Sequence, residues 1–358
     1  MRDRGAEHFP LMDKKRILAS VVVFCILAIL VYLQYRHWRT FDWGTFWSQT
    51  HRINRVRVLY GIALIYFAYF IRAVRWKIFL KPVRPQTKVS ELVSPTLIGF
   101  TGLAVLGRAG EFIRPYLIAR RTDLSLSSQL AVWAVERIFD FGAFAILLAV
   151  AVFSDAGMLS IPDPGSFYHA LRAGVLLLNL VVVVVAVAAV AVNRSGEAIA
   201  KWIEATLSHL PRNFGHRAAV EVRKFGAGLN TIQGPASLVW AAVTSLGMWY
   251  LIALSYKAVT HSYGAPALDI PLVQVLILMG ASMAGSLLQL PGVGGGSQLA
   301  VIAVLSGPFA APTEMAASCG ILLWLVTFAA VVPVGLLLAH HERLSLRKLS
   351  VESHRAEE

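Results

Sequence analysis

The chain has 358 residues, of which 57% are hydrophobic and 15% charged, and its mean hydropathy is +0.64. Soluble domains carry about 25% charged residues, so this composition excludes an ordinary water-soluble protein and points to a single polytopic membrane domain. The formal net charge is +13. Such an excess reports membrane orientation if it clusters in loops on one side, and nucleic-acid binding only if it does not. Cys25 and Cys319 both lie in apolar runs and are expected to be packing residues rather than a disulfide or a metal-site spacing.

A bilayer core of roughly 30 Å needs about 20 apolar residues to cross. In chain order, six runs meet this test: Ile17–Tyr35, Val58–Leu80, Ser128–Phe153, Leu171–Asn193, Leu238–Val259 and Ala317–Ala339. The first follows Lys14, Lys15 and Arg16 but has no small-residue cleavage site after it, so it is expected to stay as an anchor. Lys and Arg crowd the N-terminus 1–16, the segment Lys77–Lys88, the polar stretch 194–236 and the tail 341–358. By contrast, Ser154–Tyr168 and Thr260–Pro271 contain neither. The basic segments and both termini are therefore expected on the cytoplasmic side. One loop dissents. Residues 36–57 hold Arg36, Arg39, Arg52, Arg55 and Arg57 among Trp38, Phe41, Trp43, Phe46 and Trp47, which predicts a helix lying in the outer interface.

Two further apolar stretches are too interrupted for simple spans. Glu91–Ile118 contains Pro95, Gly99, Gly102, Gly107, Gly110 and Pro115; Pro271–Pro308 contains Gly280, Gly285, Pro291, Gly292 and Gly294–Gly296. Backbone groups freed by such residues are tolerated in a membrane only inside protein or beside a wet cavity. The order span, span, broken pair, span occurs twice with opposite starting sides, as about 17–153 and about 171–339. This is the plan of an inverted repeat with two re-entrant pairs whose tips meet near the midplane. Leu97-Ile98-Gly99 with Gly102 weakly matches Leu278-Met279-Gly280 with Gly285. Ordinary kinked helices, with glycines serving close packing, are the alternative. The fold class expected is thus an all-α polytopic protein, one domain over 17–340, with about six spans and two broken helix pairs.

Ionisable groups at membrane depth are costly and mark candidate sites. Arg108, Glu111 and Arg114 are spaced so that Glu111 would bridge both arginines in a helix, leaving a net positive trio suited to a phosphate. Glu136, Arg137 and Asp140 fall in the third span, with Asp140 roughly 18 Å from its start. Arg137 is placed to pair with Asp140, and the spare carboxylate to meet Arg108 or Arg114 or to carry a proton. Arg72 and Arg75 are expected to snorkel to lipid phosphates, with a headgroup path as the lesser reading. Gln289 and Gln298 flank Pro291–Gly296 and would bond either a headgroup or the freed backbone. Hydrolase signatures are missing: there is no His-Glu-x-x-His, no Gly-x-Ser-x-Gly and no Pro-Ser-Gly-His, and Gly280-Ala281-Ser282-Met283 lacks the Gly-x-Ser-Gly of rhomboid-type proteases.

Ile71-Arg72-Ala73-Val74-Arg75-Trp76, Gly107-Arg108-Ala109-Gly110-Glu111 with Arg114-Pro115, and Glu136-Arg137 with Asp140 resemble the lysylphosphatidylglycerol synthase transmembrane region. This flippase-like family includes the membrane half of MprF-type proteins, and the likeness covers roughly residues 15–340. It implies an inner-membrane protein that moves a lipid between leaflets: a phospholipid, an aminoacyl-phospholipid, or an isoprenoid or hopanoid lipid. Two departures stand out. The tail after Ala339 is too short for an aminoacyltransferase domain, so synthesis of lysyl-lipid by this chain is not expected. Similar proteins tend to carry a glutamate where Gln298 stands. The runner-up function is a membrane-embedded lipid-modifying transferase, or its partner subunit, with Glu136 or Asp140 as base; an assembly scaffold is the third. The partner expected is a membrane lipid, with a second copy or an enzyme as further candidates; no nucleic acid, metal or cofactor is expected.

Overall fold

The computed structural model describes residues 41–154, 169–188, 234–290 and 294–342, and these are overwhelmingly helical. The expected first span, the polar stretch up to Gln233, Cys25 and the tail from Arg343 lie outside them. A short helix, α1 (Trp43–His51), starts where Asp42 accepts a hydrogen bond from the Thr45 amide at 3.1 Å. Next comes α2 (Arg55–Leu80), capped by Asn54, whose Oδ1 accepts from the amides of Val56 and Arg57. Such caps satisfy the orphan N–H groups of a first turn, so both starts are locally encoded. Three more elements are long and apolar enough to cross a membrane: α6 (His169–Ala188), α7 (Pro235–Thr260), and α10 (Thr313–Trp324) continued by α11 (Val332–His341). α5 (Leu126–Phe153) is also long but carries Glu136, Arg137 and Asp140 within it. With α2 these helices cover five of the six apolar runs, and the protein is a multi-pass membrane protein.

Both interrupted stretches are helical hairpins. By length and apolarity, Val89–Thr122 would pass for one 34-residue span. Contacts fold it in two instead. α3 (Val89–Leu106) ends at Gly107, whose φ of 68° lies in the left-handed region. A 3-10 turn (Gly107–Phe112) then reverses the chain into α4 (Ile113–Thr122). In a continuous helix Gly99 and Arg114 would be about 22 Å apart. Here a Cβ on Gly99 would lie 2.5 Å from Arg114 Cβ, and one on Gly110 would collide with the Gly102 carbonyl. The glycines are small because two backbones cross there. Pro95 lacks the N–H that would bond the Glu91 carbonyl, and Arg121 Nη1 from the other arm fills that acceptor at 2.8 Å.

The second hairpin pairs α8 (Leu272–Gly285) with α9 (Gly296–Ser306), and a two-residue antiparallel ladder, Gln289 with Gly295 and Leu290 with Gly294, closes its tip. A Cβ on Gly285 would strike the Gly296 carbonyl. Gly102 and Gly285 each sit where the two arms of a hairpin cross.

The helices pack around these hairpins. α2 and α7 run antiparallel and close: Ser255 Oγ donates to the Gly61 carbonyl at 2.9 Å at one end, and Arg75 Nη1 donates to Ser245 Oγ at 2.6 Å towards the other. The first hairpin lies on the last span, where Thr101 Oγ1 donates to the Val331 carbonyl and Gly335 leaves room for Thr101. The second lies on α5, with Gly280 against Phe144 and Leu148. Between α10 and α11 the chain widens into a π turn (Leu325–Ala329) ahead of Pro333. Tyr69 and Tyr66 donate their hydroxyls to the carbonyls of Thr327 and Ala330 beside it. Cys319 is buried in the main core, as a packing residue should be.

Candidate functional site

The charged residues singled out in the sequence converge on one place, at the packing of α2, α4 and α5. Along α5, Glu136 and Asp140 are one turn apart and share a face. Arg72 and Arg75 on α2 straddle that face: Arg72 Nη1 reaches Asp140 Oδ2 at 2.9 Å and Glu136 Oε1 at 3.4 Å. Arg75 Nη2 reaches Glu136 Oε1 at 2.6 Å and its Nη1 reaches Asp140 Oδ1 at 2.7 Å. From the first hairpin, Arg114 forks onto Glu136, with Nη1 to Oε1 at 3.0 Å and Nη2 paired with Oε2. Arg137 completes the set through Asp140 at 3.0 Å and Glu136 at 3.5 Å. Four guanidiniums thus face two carboxylates, an excess of two positive charges. Burial without such pairing would be prohibitive for either sign.

Aromatic rings finish the enclosure. Arg114 lies over Trp76 at 4.5 Å and over Phe100 at 5.4 Å, and Arg72 lies 5.1 Å from the same Phe100 ring. A ring face offers negative potential to a cation that has lost water. Gln129 Oε1 accepts from Trp76 Nε1 at 3.1 Å, which fixes the indole beneath Arg114.

Beside this network is a small, open recess lined by Gly99, Phe100, Leu103, Glu111, Arg114, Trp133 and Arg137. Arg137 is the network arginine most open to it: its side chain is 28% exposed, against 7% or less for Arg72, Arg75 and Arg114. Its Nε–H has no acceptor among the described residues. Neither Glu136 nor Asp140 lines the recess.

Several expectations need correction. Arg72 and Arg75 do not snorkel; both are buried and hold the two carboxylates. Glu111 does not bridge two arginines, because the stretch is a 3-10 turn passing into a helix. It pairs with Arg108 at 3.0 Å while Arg114 turns to Glu136. The spare charge in the network is positive rather than negative, since the α2 arginines outnumber what α5 alone supplies. The expected pairings of Arg137 with Asp140 and of the remaining carboxylate with Arg114 are present. Arg108 lies at the hairpin tip and donates through Nη2 to the Ser286 carbonyl at 3.1 Å, so the two hairpin tips do meet. Gln298 Oε1 accepts from the Gly295 amide and from Ser297 Oγ, serving freed backbone at its own helix start. The Gln289 side chain lies outside what is described. Trp76, Phe100, Trp133 and Ser245 were not anticipated; only Trp76, next to Arg75 in sequence, stood beside a marked charge.

No curated protein and no solved structure gives a match to the chain. Residues 17–349 match the family described as the lysylphosphatidylglycerol synthase TM region, nearly the whole length, and the Arg-rich hairpin and its carboxylate partners fall within the match. A membrane domain related to lipid modification or transport follows, and the chain belongs to the lysylphosphatidylglycerol synthase TM region family.

Proposed function

We propose that this protein is a flippase-like lipid transporter of the inner membrane that holds an anionic or zwitterionic lipid headgroup in the recess beside the first hairpin. The observation that carries the reading is the pair Arg114 and Arg137 lining that recess, backed by a buried network with two excess cations. A phosphate accepts a guanidinium fork with two charge-assisted bonds, and the surplus positive potential favours an anion without a further charge. Glu111, also on the recess wall, gives a zwitterion a place for its cationic end. The two hairpins are read as re-entrant from opposite leaflets, within an inverted repeat whose termini are cytoplasmic. Glycine crossings at Gly102 and Gly285 support the repeat, as does the way each hairpin lies on the last span of the other half. Transport is then a rocking of the halves about a midplane site. The helix α1 is read as lying in the outer interface, with Trp43 and Trp47 exposed beside Arg52 and Arg55.

A transferase using Glu136 or Asp140 as base is disfavoured, because guanidinium donors surround both carboxylates and neither faces the recess. The test is translocation of headgroup-labelled phosphatidylglycerol in proteoliposomes with an impermeant quencher, comparing wild type and Arg137→Ala. Loss of one charge-assisted fork, roughly 1.5–3 kcal/mol, should slow translocation about tenfold or more. A variant that flips lipid at the wild-type rate would remove Arg137 from the site and the headgroup reading with it.

A further inference from the structure

We propose that Arg108 is an anion-operated latch between the two hairpins, released when a lipid phosphate takes its guanidinium; this rests on the transport reading above and concerns regulation of the same site. Arg108 occupies the 3-10 turn at the tip of the first hairpin. One arm of its guanidinium pairs with Glu111 Oε1 at 3.0 Å. The other crosses to the second hairpin, with Nη2 at 3.1 Å from the Ser286 carbonyl and 3.5 Å from Ser286 Oγ. Its side chain is 51% exposed, unlike the buried arginines of the network, so an arriving ligand meets it first.

The two contacts differ in strength. Glu111 is a charged partner, whereas Ser286 offers a neutral carbonyl. Hydrogen bonds between ionised groups are roughly twice as strong as those to neutral ones. A phosphate therefore displaces the carbonyl before it displaces the carboxylate. Ser286 also caps the C-terminal end of α8, which is the negative end of the helix dipole. Arg108 satisfies that end in the latched state. An anion seated on Arg108 would instead face it with like sign, which drives the tips apart.

The rest of the hairpin is anchored, so the tip is where movement can occur. At its base, Arg121 donates to the Glu91 carbonyl and pairs with Glu342 at the end of the last span, and Ser94 donates to the same carboxylate. Glu111 joins latch and recess, since it binds Arg108 and lines the cavity that holds Arg114 and Arg137. A headgroup in the recess is thereby beside the latch it opens.

The test is a distance measurement across the tips. Spin labels go on Ala109→Cys and Leu287→Cys in a full-length Cys25→Ser, Cys319→Ala background. The delipidated protein is studied in phosphate-free dodecyl maltoside micelles alone, with phosphatidylglycerol added, and with glycerol phosphate in the buffer. With Arg108 intact, the phosphate-free micelle should give the short distance and added phosphatidylglycerol a longer population. Arg108→Ala should give the longer population without phosphatidylglycerol and no response to it. Arg108→Lys, which keeps the charge but lacks the fork, should latch weakly and shows whether loss of the fork alone perturbs the tip. An unchanged distance with phosphatidylglycerol, or a wild-type distance in Arg108→Ala, overturns the latch. A shift with glycerol phosphate but not with the lipid overturns the lipid as its trigger. Translocation is measured on the same unlabelled protein: transport without a distance change refutes the latch alone, and a distance change without transport refutes the transport reading while the latch stands.

Discussion

Replacing Glu136 with glutamine separates the charges that hold the fold from those that serve the site. Glu136 is fully buried and takes guanidinium donors from α2, α4 and α5 at once. Glu136→Gln keeps the shape and removes the charge, leaving four guanidiniums facing Asp140 alone, so that the buried excess rises from two to three. Removing one partner of a buried ion pair costs about 3–5 kcal/mol, because the remaining charge is stranded. Arg137→Ala acts in the opposite direction. It removes one of the excess cations from the most exposed position of the network, and should cost about 1 kcal/mol or less, in the range of exposed pairs. The assay is equilibrium unfolding of purified protein in mixed micelles, with the double variant Arg75→Gln/Glu136→Gln as control. That double variant leaves three guanidiniums against one carboxylate, restoring the excess of two, and should recover part of the stability lost in Glu136→Gln. Wild-type stability in Glu136→Gln, or equal losses in Glu136→Gln and Arg137→Ala, would refute the division into structural and recess-facing charges. Failure of the double variant to recover anything would show that packing, not charge balance, sets the cost.

Other consequences are equally direct. Gly110→Ala would push a methyl into the Gly102 carbonyl where the hairpin arms cross, so the variant should lose most monodisperse protein in size-exclusion chromatography, while Gly247→Ala, where a Cβ meets nothing, should not. Phe100→Leu removes the ring shared by Arg72 and Arg114, an interaction of about 0.5–2 kcal/mol, and should lower translocation more than it lowers stability. The Asp42 carboxyl is held below its ordinary value of 3.8 by the Thr45 hydroxyl and then by the Thr45 amide. A depressed carboxyl stabilises the folded form above its unfolded value and loses that contribution as pH falls through the folded one. The protection factor of the Thr45 amide, the exchange rate of an unstructured amide divided by its own at the same pH, should therefore be high near neutrality and fall as the medium is acidified below 3.8; protection that persists there would refute the cap.

The sequence by itself determined whatever depends on neighbours along the chain. Span length follows from a local run of apolar side chains, so Val58–Leu80 and Leu238–Val259 differ from α2 and α7 by only a few residues at each end. Chain reversals were legible for the same reason: Gly107 and Pro95 are local interruptions of helix geometry, and they marked a stretch that hydropathy alone reads as one span. The pairing of Arg137 with Asp140 was legible because three residues along a helix fixes two side chains on one face.

Tertiary structure decided the partners that lie far apart in sequence. Arg72 and Arg75 sit near the C-terminal end of an apolar run, where snorkelling is the locally sensible outcome, and nothing near them signals carboxylates more than sixty residues away. Only the packing of α2 against α5 brings Glu136 and Asp140 within reach, and burial then makes pairing obligatory because a lone guanidinium has no water to turn to. Tertiary packing also reversed the sign of the local excess charge, gave Arg114 to Glu136 instead of Glu111, and set Phe100 beside two arginines. Hydropathy and glycine spacing are properties of a segment, whereas charge balance at membrane depth is a property of how segments meet.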